Sequence, residues 1–342
     1  MRAMVLIKPY SPLKLLDFPV PTPKKGQVLI RVHTCAVCRT DLHIADGELP
    51  QPKLPLILGH QVVGEIVQLG SDPSEVETLG FKIGDRVGVP WLNKSCGMCH
   101  YCKAGKENLC PTALYTGYTV DGGFAEYCVA EDAYIFHMPE KYNDEKAAPL
   151  LCSGFIGYRA WRFVEGAKRV GFYGFGSSAH LIVQIACLGK SEIYVFTKPG
   201  DINGQTLAKN LGAKWVGDST MLPNELLDAA IIFAPDGTLV PKALKAIFPG
   251  GIVVCAGIHM SDIPSFPYEL LWGERVLRSV ANLTRQDGKD FLELAAKASL
   301  QVETTTYPLE EANLALKDLR EGHHKGSIVL KCIYTENDSK IC

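Results

Sequence analysis

The chain has 342 residues, of which 47% are hydrophobic and 21% charged, and its formal net charge is −2. That is the composition of an ordinary globular protein, and the length suggests about two domains. The near-neutral balance offers no basic field for nucleic acid or an anionic membrane. No apolar run is long enough for a bilayer span, and Met1-Arg2-Ala3 leads into a strand rather than a signal peptide.

Up to about residue 150, Pro and Gly punctuate short apolar runs at 4–7, 28–32, 61–69, 85–89 and 124–129. This is the texture of an irregular β domain rich in turns. The acidic stretch 71–77 reads as a solvated loop. After Cys152 the character changes, with β-rich runs at 169–173, 193–196, 214–216, 229–233, 252–256 and 276–281. Helical text at 179–188, 205–211 and 239–247 alternates with them. Such alternation predicts an α/β domain built on a doubly wound parallel sheet with helices on both faces. Helical text at 287–298 leaves that sheet, and the β run 327–331 returns to complete the first domain. The expected division is therefore 1–150 with 287–342, and 151–286 between them.

Four of the twelve cysteines, Cys96, Cys99, Cys102 and Cys110, follow C-x2-C-x2-C-x7-C inside residues 95–111. Four thiolates close a tetrahedral shell, which predicts structural zinc. An iron–sulfur cluster is the alternative, but its pattern ends in a gap of about three residues, where this chain has seven. A second set, Cys38, His60 and Cys152, is scattered along the chain. A Cys2His shell would leave one position open on zinc for an oxygen, whereas each residue alone could equally be a buried apolar thiol or a packed histidine. Thiolate ligands imply a reducing compartment, so the expectation is cytoplasmic. Cys35, Cys128, Cys187, Cys255, Cys332 and Cys342 are read as thiols rather than disulfides.

Gly174-Phe175-Gly176-Ser177-Ser178-Ala179 follows the 169–173 run and opens the helical one. Gly174 permits a tight turn, Gly176 lets backbone approach a pyrophosphate, and Ala179 allows helix to pack on strand. The helix N-terminus, including Ser177 and Ser178, would face the phosphates. The second strand ends Phe196-Thr197-Lys198 without an acid. Lys198 favours a 2′-phosphate and hence NADP(H) over NAD(H). In the competing reading Lys198 is solvated and Asp201 reaches back to the ribose. Ala256, Gly257 and Ile258, at the end of a later strand, are expected to flank the coenzyme.

Several separate motifs, in order, resemble the zinc-containing medium-chain alcohol dehydrogenases, with the cinnamyl and tetrameric microbial branches nearest. They are Cys38-Arg39-Thr40-Asp41-Leu42-His43, Gly59-His60, Trp91-Leu92-Asn93-Lys94-Ser95-Cys96, Gly117-Tyr118-Thr119-Val120-Asp121-Gly122-Gly123-Phe124 and Ala148-Pro149-Leu150-Leu151-Cys152. The resemblance implies a GroES-like catalytic domain joined to a Rossmann coenzyme domain. It implies catalytic zinc on Cys38, His60 and Cys152, making two zinc ions per chain. Thr40 would pass the substrate proton on, His43 would release it, and Asp41 would orient His60. Arg39 would meet the pyrophosphate, and Trp91 and Tyr118 would line the substrate pocket unless they are ordinary packing. The reaction implied is hydride exchange between small alcohols or aldehydes and a nicotinamide coenzyme, in a homo-oligomeric dimer or tetramer.

Two residues depart from the family pattern. Gln61 stands where a Glu follows the ligating histidine, and Ser327 occupies the slot of a phosphate-binding Arg. Two other functions compete: a polyol or threonine dehydrogenase, and a non-catalytic zinc- and dinucleotide-binding redox sensor.

Overall fold

The computed structural model describes residues 1–70, 76 and 80–332. The acidic stretch 71–77 therefore lies, Val76 apart, outside the described residues, as does Cys342. The chain divides into two compact units, Met1–Cys152 with Leu283–Cys342, and Ser153–Asn282.

The first unit begins with β1 (Arg2–Leu6), β2 (Lys14–Asp17), β3 (Gln27–Val37), α1 (Arg39–Ala45), β4 (Leu56–Ile57), β5 (Val62–Leu69) and β6 (Arg86–Val89). It continues through β7 (Leu92–Lys94), α2 (His100–Lys103), β8 (Leu114–Tyr115), β9 (Tyr127–Glu131), β10 (Phe136–His137) and α3 (Asp144–Ala147). The second unit contains α4 (Ser153–Arg162), β11 (Arg169–Tyr173), α5 (Ser177–Leu188), β12 (Glu192–Thr197), α6 (Ile202–Asn210) and β13 (Trp215–Asp218). It closes with β14 (Leu227–Ile232), α7 (Leu239–Ala246), β15 (Ile247–Cys255) and β16 (Val276–Ser279). The chain then returns to the first unit as α8 (Arg285–Ala298), β17 (Thr304–Pro308), α9 (Ala312–Glu321) and β18 (Ser327–Lys331).

The first unit is organised on β3. Its eleven residues bury alternate and then successive side chains, because both faces are covered toward its end. One edge pairs antiparallel with β5. The other edge is shared: Gln27 to Arg31 pair with β9, and Thr34 to Val37 pair with β18. The tail strand thus completes this sheet, as its β text implied. The apolar run 28–32 marks only part of β3. The strand extends to Val37 because β18, remote in sequence, supplies its missing partner. The run at 124–129 divides: Phe124 O accepts from Met4 N at 2.8 Å and seals the side of β1, so β9 proper starts at Tyr127. Helix α8 starts at Arg285, before its apolar period, because Thr284 and Asp287 form a reciprocal capping box there.

The second unit is a six-stranded parallel sheet in the order β13-β12-β11-β14-β15-β16. The order reverses direction next to β11, which is the doubly wound topology, with its switch point beside the first strand. Val170, Phe172, Ile193, Val195, Ile231 and Val253 are wholly buried, as expected of strands covered on both faces.

Candidate metal centres and coenzyme loop

Cys38 is the residue before α1 and caps it. Its Sγ accepts from Thr40 N at 3.4 Å, and Asp41 Oδ2 accepts from Cys38 N at 2.8 Å. The thiol is thereby held at the end of β3 by a cap written into Cys38-Arg39-Thr40-Asp41. His60 follows Gly59, whose φ is +95° and where an added Cβ would come within 2.4 Å of the Phe124 ring. Only glycine makes that turn, and it aims His60 inward. Cys152 arrives at the end of the 3-10 segment Ala148–Leu151.

These three segments, far apart in the chain, bring Cys38, His60 and Cys152 together, with all ligand atoms within 4.8 Å of one another. Cys38 Sγ lies 3.1 Å from His60 Nε2. Asp41 is fully buried. Its Oδ1 accepts from Gly59 N at 3.2 Å and faces His60 Nδ1 at 3.3 Å, so one carboxylate ties both ligand-bearing turns.

The electrostatics of the trio suit a cation. A hydrogen bond from Cys152 and the neighbouring His60 hold the Cys38 thiol well below its usual value, while that same hydrogen bond and burial keep Cys152 protonated. Burial opposes a charged His60, but the Cys38 thiolate and Asp41 outweigh it and push the imidazole up to about 10. The donor set thus holds protons that a divalent ion would displace on binding. Two sulfurs and one nitrogen, converging and nine-tenths or more buried for His60 and Cys152, fit zinc.

The second cluster, Cys96, Cys99, Cys102 and Cys110, converges equally, with ligand atoms all within 4.8 Å. Cys99 and Cys102 sulfurs are 3.5 Å apart, and those of Cys96 and Cys102 are 3.9 Å apart. Sulfurs at the usual Zn–S length of ~2.3 Å form a tetrahedron with edges of about 3.8 Å, so this cage has the size of a zinc shell. Backbone N–H groups of Met98 and Cys99 lower Cys96, and that of Cys96 brings Cys110 down to about 6. Among the described residues every cysteine is free.

Around the open trio, Trp91 meets His60 edge to face at 5.0 Å and stacks on Tyr118 at 5.6 Å. Trp91 also stacks on Tyr115 at 5.0 Å. Tyr115 was not anticipated from sequence, since its approach depends on β8 pairing with β7. Tyr118 donates its hydroxyl to Pro50 O. Thr40 is buried and His43 nearly so. The His43 Nδ1 bonds Glu48, a partner that sequence reading missed. Arg39 is exposed at the start of α1. Gln61 is buried, and its Oε1 has no hydrogen-bond partner among the described residues.

In the second unit, Gly174 has φ +90°, and an added Cβ would strike Ala234 at 2.9 Å. Gly176 occupies the cap position of α5, where no side chain caps the helix and its first turn carries no acid. Ser177 and Ser178 open the helix, and Ala179 is buried against the sheet. A helix N-terminus of this kind can receive an anion.

Thr197 is buried, its Oγ1 accepting from Gln205 Nε2 at 3.0 Å, and Lys198 next to it is exposed. Asp201 caps α6, its Oδ1 accepting from Gly204 N at 2.8 Å. Ala256 donates its N–H to Ile232 O at 2.9 Å at the mouth of β15, Gly257 follows it, and Ile258 is exposed. Ser327 is buried within β18, its N–H bonded to Glu303 O at 2.8 Å.

An irregular β unit with two soft-donor clusters and a Rossmann-type unit with an uncapped glycine loop define a GroES-like/Rossmann dehydrogenase architecture. Residues 24–140 match the alcohol dehydrogenase GroES-like domain family, and residues 211–330 match the zinc-binding dehydrogenase family. The chain is 45% identical to the probable alcohol dehydrogenase AdhA of Mycobacterium tuberculosis, covering 94% of this chain and 93% of that one. It is 36% identical to an alcohol dehydrogenase of Geobacillus stearothermophilus over 97% of this chain and 99% of the other. The solved alcohol dehydrogenase of Aeropyrum pernix superposes with a TM-score of 0.86 at 26% identity, covering 97% of this chain and all of that one (100%). The chain belongs to the zinc-containing medium-chain alcohol dehydrogenase family, and is an oxidoreductase of alcohols and aldehydes.

Proposed function

We propose that the chain interconverts primary alcohols, aliphatic or aromatic, and their aldehydes by hydride exchange with a nicotinamide coenzyme, and depends on zinc at Cys38, His60 and Cys152. The observation that carries this reading is the convergence of those three side chains from distant segments onto one buried point. Zinc held there would act as a Lewis acid toward an alcohol or carbonyl oxygen. Asp41 orients His60 and fixes Cys38. Thr40, inside the site, accepts the hydroxyl proton of an alcohol, and His43 takes it toward solvent. Trp91, Tyr115 and Tyr118 form an aromatic wall that favours flat or unbranched substrates over polyols. A second zinc, on Cys96, Cys99, Cys102 and Cys110, would be structural.

The glycine loop of Gly174 and Gly176, with Ser177, Ser178 and Ala179, supports a pyrophosphate site. Thr197, Lys198, Ala256, Gly257 and Ile258 would border the rest of the coenzyme. NADP(H) is favoured, since Lys198 is an exposed cation and Asp201 is engaged in its own helix. A dimer or tetramer is supported by the outer strand β16 and the exposed Tyr268, Trp272 and Val276 near it. No described helix is long and apolar enough to cross a membrane. The free thiols favour the cytoplasm.

The test is elemental analysis of the pure protein together with a panel of alcohols and aldehydes, each assayed with both coenzymes. Two zinc equivalents and alcohol-dependent coenzyme reduction are expected. Cys38→Ser should abolish turnover and remove one zinc while the other stays. Retained activity in that variant overturns the assignment, and sorbitol or threonine as the better substrate overturns the substrate class. The buried Gln61 amide is the one feature favouring a non-catalytic sensor, which would show no turnover at all.

A further inference from the structure

The route assigned to Thr40 and His43 stops short of water. Thr40 retains 8% exposure and the His43 side chain 12%, whereas the side chain of Glu48 retains 41%. After α1 the chain turns back on itself. Gly47 adopts φ +67°, and Glu48 N donates to His43 O at 2.8 Å. The turn is tethered from α9, where Arg320 Nη2 donates to both carboxylate oxygens of Asp46 at 2.7 and 2.8 Å. This fold-back places Glu48 Oε2 in hydrogen-bond contact with His43 Nδ1.

We infer that Glu48 is the exit of the proton path, taking the proton from His43 and handing it to bulk solvent. The inference rests on the reading of Thr40 and His43 given above, and adds a residue and a step to it. A carboxylate on Nδ1 selects the tautomer with the proton on that nitrogen and leaves Nε2 with a lone pair facing away from it. During alcohol oxidation the hydroxyl proton leaves by way of Thr40 Oγ1 and reaches His43 Nε2. The Nδ1 proton then moves to Glu48 Oε2, and Glu48 releases it to water. The carbon meanwhile loses hydride, with its electron pair, to the oxidised coenzyme. The sum is aldehyde, reduced coenzyme and one proton in solution. In aldehyde reduction every transfer runs backward, and Glu48 is where the proton enters.

Glu48→Gln separates the two roles. The amide oxygen still accepts from Nδ1–H and keeps the imidazole in place, but it cannot take the proton. The experiment follows the first turnover of the zinc-loaded enzyme with a saturating primary alcohol, in weak buffer, by a pH-indicator dye alongside coenzyme absorbance. Glu48→Gln should slow proton release by about tenfold or more. Adding a small diffusible base such as imidazole should restore most of the rate, Glu48→Asp should keep most of it, and zinc content should not change. Wild-type proton release by Glu48→Gln in weak buffer overturns the inference. So does a loss that no added base relieves, since that is the behaviour of a purely structural residue. A wild-type enzyme that reduces no coenzyme with any alcohol would instead sink the functional reading beneath it.

Discussion

A fully buried carboxylate is costly unless its charge and lone pairs are met; burial pushes the Asp41 carboxyl up, and the groups that carry the open cluster offset part of that cost. It receives the N–H of Cys38 at 2.8 Å and that of Gly59 at 3.2 Å, and it faces His60 Nδ1 at 3.3 Å. Asp41→Asn keeps the size but removes the charge and one acceptor. We expect metal retention at Cys38, His60 and Cys152 to weaken by about 10–100-fold, read by chelator competition, with the four-cysteine zinc unaffected. Gln61 is the opposite case, a neutral amide whose buried oxygen has no partner among the described residues. Its backbone carbonyl accepts from Ala36 N at 3.0 Å, so the position is held by the sheet rather than by its side chain. Gln61→Glu should therefore change kcat by less than tenfold, about 1.4 kcal/mol in barrier. A larger change in steady-state kcat would make the side chain integral to turnover.

At the scale of elements, Cys152 is delivered by a short strap, α3 and the 3-10 segment Ala148–Leu151. Asp144 anchors its start. It accepts from Arg86 Nε of β6 at 2.6 Å and pairs with His33 Nδ1 of β3 at 2.9 Å, while its carbonyl takes Thr34 Oγ1 at 3.1 Å. Burial works against this carboxylate, but the hydrogen bonds from His33 and Arg86 outweigh it and hold Asp144 below its usual 3.8. A depressed carboxyl stabilises the fold above its unfolded value and loses that contribution as pH falls through the folded one. Asp144→Asn should cost about 1–3 kcal/mol in urea unfolding at neutral pH. The gap to wild type should close as the solution is acidified below the ordinary carboxylate range. A gap that persists unchanged in acid would show that the charge is not what anchors the strap.

At the scale of the molecule, β16 ends the parallel sheet with exposed apolar side chains: Val276 at 45%, with Trp272 at 67% and Tyr268 at 72% nearby. An open edge of this kind is a template for strand addition and needs a cover. If the cover is a second copy, Val276→Lys should shift the protein to smaller species in sedimentation velocity. The same assembly at the same concentration would exclude β16 as the contact.

Periodicity and local spacing were enough to read the alternation of strands and helices in the second unit, the glycine loop and the four-cysteine cluster, because in each the interacting groups are close in sequence. The strand 169–173 has the same bounds in the fold, and the cysteines from Cys96 to Cys110 lie within one excursion of chain. Helix α9 was also written in the text, with Ala312, Ala315, Leu316 and Leu319 buried at helical spacing before the left-handed cap Gly322, yet it went unread. Other features had no local trace. Cys38, His60 and Cys152 are individually ordinary residues, and only the pairing of β3 with β5, together with the strap behind Asp144, makes them neighbours. Tyr115 reached Trp91 through a strand pair, and Glu48 reached His43 through the turn at Gly47. A sequence records short-range preferences directly. Contacts between distant residues come into being when sheets pair and loops close, so the ligand trio and the exit beside His43 were decided by tertiary structure.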